Sequence, residues 1–155
     1  MVMSPQTMLN LSNPDLTQHP PRSPRAQLGG YVHLPRLIDK ARAQAAGKVG
    51  EYHYNCPMDK HFFAFTGIEA EEMLAGVKGA KSDSEVLAFV RSHTKRLPAE
   101  IAGWSLWMSK HAPGGAPGHE WFGEVIKAGS SERDDINGFF DLLDFDDFVS
   151  FGGKG

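Results

Sequence analysis

The most reactive residue types in this chain sit close together near its first third. His53, Cys56 and His61 follow the pattern His-x2-Cys-x4-His around the stretch Gly50-Glu51-Tyr52-His53-Tyr54-Asn55-Cys56-Pro57-Met58-Asp59. A thiol becomes a nucleophile when a neighbouring base or cation stabilises its anion; either histidine suits that role, with Asp59 or Asp39 completing an acid–base set. The trio also offers zinc three ligands, one short of a closed tetrahedral site, so no metal is expected. A plainer reading stands beside these. Cys56, followed by Pro57 and ringed by aromatics, packs as a small buried hydrophobe. It is the only cysteine, which rules out an internal disulfide and fits a reducing compartment.

A second constellation precedes it. Arg22 and Arg25, within Pro20-Pro21-Arg22-Ser23-Pro24-Arg25, lead into Gly29-Gly30-Tyr31 and then Arg36. Glycines ahead of a helix let backbone approach a ligand closely, and the helix N-terminus presents free N–H groups to an anion. Arginines add charge-assisted contacts to a phosphate or carboxylate. Arg22, Arg25, Gly29, Gly30, Tyr31 and Arg36, beside His53 and Tyr54, are therefore the candidate site for an anionic small molecule. The alternative is that Arg22 and Arg25 pair with the acids between Asp141 and Asp147, closing the arm onto the last helix. Neither a Walker nor a Rossmann glycine pattern is present, so no cofactor is expected.

Asp141, Asp144, Asp146 and Asp147 invite a calcium reading, but Leu142, Leu143 and Phe145 stand between them where oxygen ligands would be needed. An acidic face with buried apolar neighbours suits the pattern better. Trp104, Trp107 and Met108 have helical spacing and read as core or as a pocket wall.

The elements that must hold these residues are helices. Pro35 opens a helix to Ala46, with Leu34, Leu37, Ile38, Ala41 and Ala45 on one face and Gly47 as its stop. Further helices are expected over Met58–Phe65, Glu69–Val77, from the Ser82-x-x-Glu85 capping box, from Pro98, over Glu120–Lys127 and over Asp134–Asp144. Ala112–Gly118 reads as a loop. The fold class is thus all-α: a compact single-domain bundle of six or seven short helices, with an extended Pro-rich N-terminal arm and no sheet beyond a short pair. Residues 1–15 are expected to be mobile, 16–151 to form the domain and 152–155 to be a flexible tail. Leu37, Ile38, Phe62, Phe65, Leu74, Leu87, Val90, Trp104 and Phe140 form the expected core.

At 155 residues the chain suits one domain, and 41% hydrophobic content is that of a globular protein rather than a disordered one. No apolar run approaches the roughly 20 residues of a membrane span, and Met1–Asp15 lacks the features of a secretory signal, so a cytoplasmic, non-membrane protein is expected. The net charge of −3 argues against nucleic-acid binding. Charge is uneven: residues 1–60 carry seven Lys/Arg against four Asp/Glu, a net of +3, and the remainder nine against fifteen, a net of −6. The two ends therefore attract each other or face different partners. A homo-oligomer is left open.

Several segments together resemble a known family. They are Pro20–Arg25, Leu28–Tyr31, Leu34–Ala43, Gly50–Asp59, Asp141–Asp147 and Val149–Lys154, and they are similar to the bacterial family catalogued as domain of unknown function 5069. The resemblance runs from Leu16 onward and implies a single cytoplasmic bacterial domain, with no activity attached. Two functions compete. One is a small binding or interaction domain holding an anion or small ligand near the arginine-rich arm and first helix. The other is a small enzyme using His53 and Cys56, with Asp59, in acid–base or nucleophilic chemistry. The surroundings of Cys56 separate them.

Overall fold

A computed structural model describes residues 9–129 and 132–155. The expected mobile segment 1–15 lies outside the described residues over its first eight. Seven helices and one two-stranded hairpin are described, which matches the expected bundle.

The hairpin pairs β1 (Gln27–Leu28) with β2 (Tyr31–Val32), antiparallel, with Leu28 opposite Tyr31. Its turn is Gly29-Gly30, with φ of 60° and 85°. Two positive φ values in a two-residue turn match the right-handed twist of the strands, and glycine meets that demand without strain. Gly29 is also crowded. A Cβ there would lie 2.4 Å from Leu87 Cδ1.

Helix α1 (Leu34–Ala46) starts at His33 and stops at Gly47, whose left-handed φ lets its N–H return to the last turn. Leu34, Leu37, Ile38 and Ala41 are fully buried, as expected, whereas Ala45 is exposed. Arg36, Asp39 and Lys40 on the polar side are buried as well. Thus α1 is the central strut of the fold, covered on its polar face by other parts of the chain.

Around it stand α2 (Pro57–Thr66), α3 (Ala70–Lys78) and α4 (Asp83–His93), with α5 (Pro98–Lys110) against the hairpin. Ser82 caps α4 by accepting from the Glu85 N–H, as its capping box predicts. The main core joins Leu37, Ile38, Phe62, Met73, Val86 and Val90; Phe140 belongs to a second cluster with Val32, Met58 and Met108. Phe65, Leu74, Leu87 and Trp104, expected inside, are only partly buried.

Two boundaries differ from the sequence reading. Helix α6 spans Ala116–Ala128, so the end of the Ala112–Gly118 stretch forms its first turn; Pro117 is tolerated there because early helical N–H groups have no partner to lose. Helix α7 spans Phe139–Ser150 rather than Asp134–Asp144. Asp141 Oδ2 accepts from the N–H groups of Asn137 and Gly138, both at 3.2 Å, which fixes Gly138 as the N-cap.

Candidate functional site

Helix α2 begins with Cys56 at its N-cap and Asp59 at its third position, which supplies one half of a capping box. The Asp59 carboxylate reaches back to the Cys56 N–H at 3.3 Å, while the Cys56 side chain itself makes no cap hydrogen bond. The same carboxylate accepts from the Asn55 N–H at 2.9 Å, His33 Nε2 at 2.7 Å and Lys40 Nζ at 2.8 Å. Burial by itself would raise the Asp59 carboxyl, but the His33 hydrogen bond and the Lys40 charge outweigh it and hold the group far below the usual carboxylate range. Asp59 is ionised at every ordinary pH.

Lys40 approaches from α1, one turn after Arg36. Besides Asp59, its ammonium donates to the His53 carbonyl at 3.0 Å and to Cys56 Sγ at 3.2 Å. Three donors thus meet three acceptors, which is how a buried ammonium becomes tolerable. His33 closes the set from the residue before α1. An ionised Asp59 can only accept, so Nε2 of His33 carries the proton. Burial pushes His33 below the ordinary histidine value despite that hydrogen bond, leaving a neutral ring whose Nδ1 lone pair is buried without a partner among the described residues. The backbone of His33 is left-handed at φ 69°, an uncommon conformation for a side chain other than glycine.

Cys56 is partly exposed and opens onto a cleft of about 580 Å³. His33, Arg36, Lys40 and Cys56 line its polar end, Met58, Phe139, Leu143 and Trp121 its apolar walls, and Glu51, His53, His61, His111 and Asp146 also border it. The rings of His61 and His111 meet edge to face at 4.9 Å, with Trp107 5.1 Å from His61. Burial and the neighbouring His111 lower the His61 pKa, so it too is neutral at pH 7. Burial and the adjacent Asp147 charge raise the Asp146 carboxyl. Among the described residues, no group of three or more His, Cys, Asp or Glu has a metal-binding arrangement.

The arginines have other partners. Arg22 binds Asp39 through three contacts at 2.9–3.1 Å and Asp83 through two more, and Arg42 joins them at Asp83. Arg25 pairs with Asp144 at 3.2 Å and with Asp141. Arg36 holds Asp147 in a buried two-pronged pair at 2.7 and 3.2 Å, and the Tyr52 hydroxyl donates to the same carboxylate at 2.8 Å. The acidic face of α7 is therefore matched to the basic arm, as the charge split anticipates, although Arg22 turns to α1 and α4 instead.

The eight residues grouped by sequence do not converge. Arg36 and His53 border the cleft; Gly29, Gly30 and Tyr31 line a different cavity; Tyr54 donates to the Ala70 carbonyl at 2.6 Å and packs on Phe63. Of the catalytic candidates, Cys56 and Asp59 come together, with Lys40 as the near neighbour of the thiol. Lys40 and His33 were not legible as site residues. Their only signal is position: charged or polar groups flanking an apolar helix face look like a solvated edge until a second element covers them.

A search of curated proteins returns no match. The family model of domain of unknown function 5069 matches residues 18–149, a stretch holding every residue of the cleft, and the chain belongs to that family.

Proposed function

We propose that this chain is a binding domain for a small organic molecule, held in the cleft above Cys56. The observation behind this reading is the convergence of the apolar Met58, Phe139 and Leu143 with Lys40 and His33, both fixed by the Asp59 buried behind them, in one opening of ligand size. Glu51 and Asp146 on its border disfavour an anion, and the Lys40 ammonium is neutralised by Asp59 with its three hydrogens already donated, so the ligand is a neutral molecule whose polar group meets the Cys56 thiol. The single cysteine fits a reducing, cytoplasmic setting. No helix among the described residues is long and apolar enough to cross a membrane.

A thermal-shift screen of neutral metabolite-sized compounds tests it, run on wild type and on Leu143→Trp, which fills the cleft. Hits that stabilise wild type and not the variant support the site; hits that stabilise both equally place binding elsewhere and end the proposal.

A second reading rests on Lys40 Nζ at 3.2 Å from Cys56 Sγ. That ammonium donates to the sulfur, and a cation beside a thiol supports its nucleophilic form. In this reading Cys56 adds to a ligand carbonyl: the S–C bond forms, the C=O π pair moves to oxygen, and the thiol proton ends there. Turnover that survives in Cys56→Ser would remove it.

A further inference from the structure

A second cavity, of about 660 Å³, opens between the Gly29-Gly30 turn and the junction of α4 with α5. It shares no residue with the cleft over Cys56. Its lining holds two arginines, Arg91 and Arg96, and no acid. Arg96 is held in place: its Nε donates to the Phe65 carbonyl at 2.8 Å, it pairs with Glu100 at 3.0 Å, and its guanidinium lies 4.4 Å from the Phe65 ring centre. Arg91 makes no ion pair or hydrogen bond among the described residues. Elsewhere in the fold, Arg22, Arg25, Arg36 and Arg42 are each matched to an acid, so an unmatched arginine beside a fixed one stands out.

Tyr31 supplies a second, independent observation. It belongs to the same lining, is 1% exposed, and its hydroxyl is buried with no hydrogen-bond partner among the described residues. Leaving a buried hydroxyl unpaired is costly, so its position calls for an acceptor. Burial raises its pKa against the opposing charges of Arg96 and Arg91, which keeps it a donor at neutral pH. Pro98, Ile101, Ala102 and Leu106 make the opposite wall apolar.

We propose that this cavity binds the oxyanion of a small organic acid, a carboxylate or a phosphate monoester, between Arg91 and Arg96, with the Tyr31 hydroxyl as an added donor. The organic body lies against Ile101 and Leu106. This is independent of the ligand proposed for the cleft, which is neutral and lies elsewhere.

Isothermal titration of the full chain at fixed ionic strength tests it, with benzoate, phenyl phosphate and inorganic phosphate as probes. Wild type should bind benzoate or phenyl phosphate saturably, and whichever binds identifies the head group. Inorganic phosphate should bind more weakly, since it lacks a body for the apolar wall. Arg91→Glu, a surface change, should weaken binding about tenfold or more, because a repulsive charge replaces a charge-assisted contact. Tyr31→Phe should weaken it several-fold, with no hydrogen bond lost in the free protein. Absence of saturable binding by either organic probe, or equal affinity in wild type and Arg91→Glu, overturns the proposal. Should Tyr31→Phe unfold, the Arg91→Glu comparison decides alone.

Discussion

The ammonium of Lys40 lies 2.8 Å from Asp59 Oδ2, and neither side chain has more than 3% of its surface exposed. Breaking such a pair from one side leaves an uncompensated buried charge, at about 3–5 kcal/mol. The two sides are not equivalent. Without Lys40, Asp59 keeps His33 and two backbone N–H groups, and His33 can take up a proton. Without an ionised Asp59, Lys40 keeps only a carbonyl and a sulfur. Asp59→Ala is therefore expected to destabilise more than Lys40→Met, with the ranking read from urea unfolding midpoints.

Stability should fall as the solution is acidified from neutral pH, in two stages. His33 is held below its ordinary 6.5 in the folded chain, so below that pH the unfolded state takes up the proton first and gains. Asp59 is held below its ordinary 3.8, so its contribution is full above that pH and fades beneath it. Urea midpoints at pH 7.5, 5.5 and 4 should decline in that order. A midpoint unchanged between pH 7.5 and 5.5 would show that His33 is not buried neutral.

The arm's ion pairs should differ sharply in worth. Arg25 is half exposed, and pairs of that kind contribute about 0–1 kcal/mol. Arg36 and Asp147 are buried together, and Arg36→Ala should cost about 3–5 kcal/mol. Raising salt should narrow the Arg25→Ala effect and leave the Arg36→Ala effect nearly intact, since buried pairs are little screened.

At the hairpin, Gly29→Ala places a Cβ at φ 60° and against Leu87. A side chain at positive φ that also overlaps a neighbour should cost more than about 1 kcal/mol. Gly29→Ala combined with Leu87→Ala should recover part of that loss if the contact contributes; identical losses would assign it to the backbone.

Much of the scaffold was readable because its signals are local. Pro35, Ser82, Pro98 and the glycine at 47 mark boundaries through contacts within one turn, and these boundaries agree with the fold to within a residue or two. The Gly29-Gly30 turn is legible as glycine-rich, but a two-residue strand pair has no alternation to display. The sequence pattern starts α7 five residues early because Ile136 fits a helical face, while the Asp141 side chain caps at Gly138. The site was half readable. Cys56 and Asp59 are three residues apart and belong to one cap, whereas the pairs His33–Asp59 and Lys40–Cys56 span 26 and 16 residues and appear only when α1 and α2 pack.

The Arg36–Asp147 pair joins residues 111 positions apart in the chain. Closing so long a loop is entropically late, because local helices and short-range contacts cost less to form. Phe139 and Leu143, the cleft wall carried by α7, therefore arrive after α1 and α2 have already set Lys40 beside Cys56. On that order of assembly the thiol and its ammonium neighbour come together on an open surface, and they become the floor of a cleft when the last helix docks.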